Sequence, residues 1–217
     1  MTPPPIRVLL ADDHAVVREG YRALLQSQPD IQVVAEAVDG DQAYLFYRQC
    51  SPDVAVVDLS MQGRGGLEAM ARIRQADPHA RLLVFTMHLN ASFALQAFRA
   101  GATGYVTKTS PAGMLVQAVR DVFAGRPAIS PDISRELALH NLDRDGSPVR
   151  QLTPREFEIV RMRMALRSIE QIASALHVSP KTVSNTWYQA KAKLRVESDI
   201  EMVHVALRAG LIEPLTP

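Results

Sequence analysis

The sequence predicts an α/β fold, a doubly wound five-stranded parallel sheet, followed by a small all-α helix-turn-helix domain. Short apolar runs alternate with amphipathic stretches, with short connections, through about the first 125 residues. The runs are apolar on consecutive positions rather than on every second one, the pattern of strands buried on both faces of a parallel sheet. Beyond Gly125-Arg126-Pro127 no strand pattern recurs and only helical periodicity remains.

Ile6 to Ala11 is the first strand and ends in Asp12-Asp13. The helix after it carries Val16, Val17, Tyr21, Leu24 and Leu25 on one face. Gln32 to Glu36 is the second strand, and Asp41 to Cys50 is a helix stopped before Pro52. Val54 to Val57 is the third strand and ends abruptly in Asp58. A glycine-rich loop, Gly63-Arg64-Gly65-Gly66, leads to a helix from Leu67 to about Gln75 that Asp77-Pro78 breaks. It lacks the spacing and the lysine of a nucleotide-phosphate loop. Leu82 to Phe85 is the fourth strand, ending at Thr86, and the helix over Ser92 to Ala100 is closed by Gly101. Gly104 to Thr107 is the fifth strand, ending at Lys108. A helix over Pro111 to Ala124 has Ser110-Pro111 as cap and first-turn proline and Gly125 as its stop. Residues 127–150 hold Ser-Pro and Asp-Gly pairs and read as a linker with one helical turn around Arg135 to His140. Thr153-Pro154 with Glu156 is a strong helix start, and helices follow at about 154–165, 169–176, 180–194 and 199–209. The expected division is 1–126, 127–150 and 151–217.

Composition excludes several classes. Hydrophobic content of 47% rules against a disordered chain. The net charge is +1, so nucleic-acid binding has to come from local clustering of cations. The single cysteine, Cys50, forms no internal disulfide, which fits a reducing compartment. The opening Met-Thr-Pro-Pro-Pro lacks the basic start and apolar segment of a signal peptide. No run approaches the roughly 18 apolar residues of a membrane helix. A cytoplasmic protein without a membrane partner is expected.

In an open α/β sheet, chemistry sits just beyond the carboxyl ends of the strands. Asp12, Asp13, Asp58, Thr86 and Lys108 terminate the first, third, fourth and fifth strands, and converge on one rim when the first, third and fourth are central. Three crowded carboxylates stay ionised near neutral pH only beside a cation. Hard oxygen donors, without His or Cys at the strand ends, suit Mg²⁺. Such a rim can accept a phosphoryl group on Asp58. The carboxylate is the nucleophile, the metal and Lys108 offset charge, and the Thr86 hydroxyl donates a hydrogen bond. Singly these residues read as a helix cap, a β-former or a solvated lysine; their conjunction at these strand ends favours the site.

The runs Leu9-Leu10-Ala11-Asp12-Asp13-His14, Val56-Val57-Asp58-Leu59-Ser60-Met61, Phe85-Thr86 and Gly104-Tyr105-Val106-Thr107-Lys108 resemble the receiver domain of bacterial two-component response regulators, a flavodoxin-like fold, over residues 6–125. The resemblance implies a signalling protein rather than an enzyme, phosphorylated on Asp58 by a sensor histidine kinase. It implies Mg²⁺ held by Asp12, Asp13, Asp58 and the backbone carbonyl of Ser60. Thr86 and Lys108 would sense the phosphoryl group, and Tyr105 would swing as Thr86 moves. The family commonly has Met-Pro after the phosphorylated strand where this chain has Met61-Gln62, a change expected to loosen the loop beside the acceptor.

In the helical part, Ile169 to Leu176 is a short helix with apolar Ile169, Ile172, Ala173 and Leu176. His177-Val178-Ser179 makes a tight turn, and Ser179-Pro180 opens a longer helix, as in a helix-turn-helix. From Gln171 through Val196 there is no Asp or Glu, while Lys181, Lys191, Lys193 and Arg195 occur, the charge bias of a helix beside phosphates. With Leu152-Thr153-Pro154-Arg155-Glu156 and the closing Ala206 to Ile212, these segments resemble the LuxR-type output domain of the NarL/FixJ group over about 150–212. That resemblance implies regulation of transcription on double-stranded DNA, as a homodimer when phosphorylated. Lys181, Ser184, Asn185 and Tyr188 would face the major groove, and Thr182, Lys191 and Lys193 would meet phosphates. The glycine that the family usually has before Ser168 is absent, with Leu166-Arg167 in its place, which favours a helix that runs on by a residue or two. Thr186-Trp187 stands where the family has His, leaving Trp187 to pack inward or to meet a sugar-phosphate edge. These departures motivate an alternative, a phospho-switched protein-interaction regulator whose helix-turn-helix does not read DNA. A phosphohydrolase is disfavoured, because Asp58-Leu59-Ser60 lacks a second acid two residues on.

Overall fold

The computed structural model describes residues 3–142 and 148–212. Six parallel strands stand in the order β2-β1-β3-β4-β5-β6. They are β1 (Ile6–Ala11), β2 (Ile31–Ala37), β3 (Val54–Val57), β4 (Leu82–Thr86), β5 (Gly104–Thr107) and β6 (Ala128–Ile129). Every residue of β3, β4 and β5 is buried, as strands covered on two faces require. The helices α1 (Ala15–Gln26), α2 (Gly40–Cys50), α3 (Gly66–Ala76), α4 (Ala91–Arg99) and α5 (Ala112–Phe123) cover the two faces. Leu25 of α1 and Leu115 and Val119 of α5 pack on Leu10, Val56 and Phe85. On the other face, Tyr47, Met70 and Ala97 join Leu9, Val57 and Tyr105.

Three local expectations are corrected. The stretch expected to be a linker is folded: Ala128 and Ile129 pair with Gly104 and Tyr105 as an edge strand, and α6 (Pro131–Leu142) packs on α4. A two-residue strand is too short to show a pattern, and Ser130-Pro131, which reads as a loop, starts a helix with proline in its first turn. Val16 does not join the buried face of α1; it is 86% exposed, while Leu25 anchors the helix. Pro111 occupies the cap position itself, so Ser110 does not cap α5 and its Oγ lies 3.0 Å from the Thr107 hydroxyl.

A 3-10 turn (Pro148–Gln151) precedes α7 (Pro154–Met164), α8 (Ile169–Ala175), α9 (Pro180–Leu194) and α10 (Asp199–Arg208). Thr153 with Glu156 and Ser168 with Gln171 form reciprocal capping boxes, and Ser179 accepts from the Thr182 amide. The helix α7 does not run on. It ends at Met164, and Leu166 takes a left-handed conformation with φ 60°. The Leu166 amide donates to Arg163 and the Arg167 amide to Met162, the bonding of a glycine-type helix stop made without glycine. Trp187 packs inward, 7% exposed, under the Arg163 guanidinium 5.5 Å from its ring centre.

The two parts share one continuous apolar core. Phe157 of α7 meets Phe93 of α4 edge-on, with ring centres 5.1 Å apart. The Gly63 amide donates to the Ala175 carbonyl at 2.8 Å, the Ser92 hydroxyl to Ala209 at 2.8 Å, and the Gln96 amide group to Val149 at 2.6 Å. Among the described residues, no helix is long and apolar enough to cross a membrane.

Candidate functional site

The sheet order makes β1, β3 and β4 central, and their carboxyl ends deliver the acidic rim. Asp58 follows β3 directly and is 3% exposed; Asp12, after β1, is 2% exposed. The start of α3 presses against the acceptor strand so closely that a Cβ on Gly66 would lie 2.0 Å from the Asp58 carbonyl oxygen. Lys108, after β5, sends its Nζ between two carboxylates, 2.7 Å from Asp12 Oδ2 and 2.7 Å from Asp58 Oδ2. Its backbone amide donates to the Thr86 carbonyl, which ties the end of β5 to that of β4. Burial opposes the charge on Lys108, but the Asp58 and Asp12 carboxylates outweigh it and hold the ammonium pKa above its ordinary value.

The remaining predicted residues stand around this pair. The Thr86 side chain is fully buried and its Oγ1 has no hydrogen-bond partner among the described residues. A buried hydroxyl without a partner is costly, and it is suited to a ligand oxygen. The Ser60 amide donates to Asp58 Oδ1 at 3.3 Å. Tyr105 is fully buried, and its hydroxyl donates to the His88 carbonyl at 2.9 Å. Burial first, and then the Asp58 and Asp132 charges, push the phenol pKa well up, so it remains a donor.

Asp12, Asp13, His14 and Asp58 bring one ligand atom each within 4.8 Å of one another. The expectation of a rim without histidine is thereby corrected: His14 Nδ1 lies 2.8 Å from Asp13 Oδ1. The three carboxylates still supply the hard oxygens that a divalent cation such as Mg²⁺ prefers, and the His14 side chain, 66% exposed, lies at the outer edge of the cluster.

The sequence reading missed His88. Its Nε2 is 2.9 Å from the Ser60 hydroxyl, and its ring stacks on Phe93 with centres 3.9 Å apart. Burial, then the Arg161 charge, pushes its pKa down to about 4, so the ring is neutral near pH 7. The available signal was position: His88 lies two residues beyond Thr86, on the same rim.

On α9, Lys181, Thr182, Asn185 and Tyr188 are exposed, Ser184 is half-buried, and Val183 and Leu194 are buried. Lys181, Asn185 and Tyr188 follow helical spacing and share a face. The two C-terminal lysines are engaged within the chain. Lys191 Nζ is 3.2 Å from Asp199, and Lys193 Nζ is 2.7 Å from Glu156, the capping residue of α7.

Comparison with known proteins finds matches to both parts of the chain. A family described as the response regulator receiver domain matches residues 8–120, and the luxR family of bacterial regulatory proteins matches residues 150–206. The response regulator UvrY of Escherichia coli strain K12 is 36% identical over 208 residues, covering 95% of each chain. A LuxR-family two-component response regulator from Aurantimonas sp. SI85-9A1, known from a crystal structure, is 52% identical over 64% of this chain and 99% of its own, with a TM-score of 0.63. RcsB from Salmonella enterica serovar Typhimurium, solved on a promoter in the presence of phosphomimetic BeF3-, is 27% identical over 92% of this chain and 97% of its own, with a TM-score of 0.65.

Proposed function

Because the chain belongs to the two-component response regulators, with a receiver and a LuxR-type DNA-binding domain, we propose that Asp58 takes a phosphoryl group from a sensor histidine kinase and that this controls transcription through double-stranded DNA. What carries the reading is Lys108, shared at 2.7 Å by two buried carboxylates beside the unpartnered Thr86 hydroxyl. An Asp58 carboxylate oxygen attacks phosphorus, the bond from phosphorus to the kinase imidazole breaks, and an acyl phosphate remains. Lys108 turns its charge onto the phosphoryl oxygens and Thr86 donates to one of them. Tyr105, bonded to the His88 carbonyl, follows that movement. Asp12, Asp13, Asp58 and the Ser60 carbonyl would hold Mg²⁺, which when bound offsets charge on the phosphoryl oxygens.

The receiving unit is read over 1–126 and the DNA-binding unit over 151–217, and the connecting residues 127–150 include the edge strand and α6 that lie on the receiver. The protein acts in the cytoplasm, and the phosphorylated form binds paired half-sites as a homodimer. Lys181, Ser184, Asn185 and Tyr188 face the major groove, with Thr182, Lys191 and Lys193 toward phosphates. The test is intact mass after treatment with a small-molecule phosphodonor. The wild type gains one phosphoryl group and Asp58→Asn gains none; a gain on the variant would move the acceptor elsewhere. Gel shifts with and without phosphodonor test the switch, and equal affinity in both removes it.

The ion pairs at Lys191 and Lys193 favour, as a second reading, a regulator that binds protein and not DNA. Salt separates the two. Duplex binding that falls steeply with salt supports DNA, and no duplex binding at low salt supports the second reading.

A further inference from the structure

Arg161, on the third turn of α7, belongs to the helical domain but faces the receiver. Its guanidinium grips Glu158 in a fork, with Nη2 2.5 Å from Oε1 and Nε 3.1 Å from Oε2. Both side chains are largely buried, 24% and 13% exposed. Glu158 and Arg161 line a cavity of about 480 Å³ together with Asp13, Ser60 and Gln62 of the acceptor rim. Arg161 also lines a neighbouring cavity of about 650 Å³ with Met87 and His88. The guanidinium therefore stands where the loops after β3 and β4 meet, the loops that carry Asp58 and follow Thr86.

The charges around it are unevenly matched. Lys108 is already divided between Asp12 and Asp58. A phosphoryl group carries roughly −1.5 to −2 near neutral pH and three strong acceptor oxygens, so phosphorylating Asp58 puts a larger negative charge in place of its single carboxylate charge, an increase that Lys108 alone does not match. Burial opposes the Arg161 charge, and the Glu158 and Asp58 carboxylates together sustain it. A guanidinium fork fits phosphoryl oxygens as well as it fits a carboxylate.

We propose that Arg161 is a phosphoryl-binding residue supplied to the receiver by the DNA-binding domain, held in reserve by Glu158 and transferred to the phosphoryl oxygens when Asp58 is modified. Glu158 is then left beside Asp13 without its partner, so the exchange loads negative charge onto the domain interface.

This rests on Asp58 being the acceptor, and the test keeps the two apart. Beryllofluoride, a phosphoryl stand-in, is titrated onto the full chain with Mg²⁺ and followed by fluorine NMR. Arg161→Ala weakens binding by about tenfold, the loss of one charge-assisted contact, and Arg161→Lys recovers part of it. Glu158→Gln, which frees the guanidinium, tightens binding, an opposite sign that misfolding cannot imitate. Unchanged affinity in Arg161→Ala and Glu158→Gln, with phosphoryl uptake on wild-type Asp58 intact, overturns the proposal alone. A wild type that takes up neither phosphoryl nor beryllofluoride overturns the acceptor reading with it.

Discussion

Replacing Leu166 by glycine should stabilise the helical domain. Leu166 holds φ 60° at the end of α7 and is 94% exposed, so its side chain contributes almost no packing. An L residue in the left-handed region costs about 1–2 kcal/mol, because its Cβ crowds the following carbonyl. Glycine removes that cost but gains freedom in the unfolded chain, which returns roughly 0.5–1 kcal/mol. The net gain for Leu166→Gly is therefore about 0–1.5 kcal/mol, centred on ~0.75 kcal/mol. Leu166→Ala keeps the Cβ and should leave stability close to wild type. Urea unfolding followed by the fluorescence of Trp187 reads the result, since this single tryptophan is buried and lies under Arg163, three residues before the stop. A glycine variant no more stable than the alanine variant would show that the left-handed turn stores no more than the roughly 0.5–1 kcal/mol that glycine itself costs.

The other predictions address function. Gly66→Ala should abolish phosphoryl uptake without altering a polar group of the rim, because the new Cβ would lie 2.0 Å from the Asp58 carbonyl oxygen and force the acceptor loop away; intact mass reads it, and normal uptake refutes the close approach. The His88 pKa is depressed from 6.5 to about 4, so between those values the unfolded chain binds the extra proton. Stability should be complete above about pH 6.5 and fall toward pH 4, by up to about 3 kcal/mol. His88→Gln should flatten that window in denaturant titrations, and an unchanged slope assigns it to another group. Lys181→Ala should weaken duplex binding; if it meets a phosphate, the salt slope falls by about one, and if it meets a base the loss depends on sequence.

The receiver was readable because its chemistry is tied to strand ends. An apolar run that stops at Asp58, Thr86 or Lys108 announces both the strand and the rim, and the parallel order carries those ends together. Features set by tertiary contact were not readable. The strand at Ala128 exists only because β5 leaves an edge to pair with, and nothing in two residues encodes that. The left-handed Leu166 contradicts its own backbone preference; α7 must stop there for Ser168 to cap α8, and that requirement overrides the residue. The ion pair of Lys193 was equally hidden, since its partner Glu156 is 37 residues away. The direct role of Arg161 was invisible for the same reason: its i,i+3 pair with Glu158 reads as an ordinary helix surface until the receiver is seen to cover it.

The contacts joining the domains originate in the segments that a phosphoryl group would move. Asn90 caps α4 through its Oδ1, while its Nδ2 holds the Gly210 carbonyl at 3.1 Å. Ser92, two residues on, holds Ala209, and Gly63 in the acceptor loop holds Ala175. Three such hydrogen bonds contribute about 3 kcal/mol together, an amount that one or two charge-assisted bonds to a phosphoryl group can offset. The Phe93–Phe157 contact and the apolar core around it hold the two parts as well, so a phosphoryl group at the rim acts on the polar share of the interface. Coupling of this kind is reciprocal. If a phosphoryl mimic at Asp58 changes the affinity for duplex, binding a duplex must change the affinity for that mimic by the same factor.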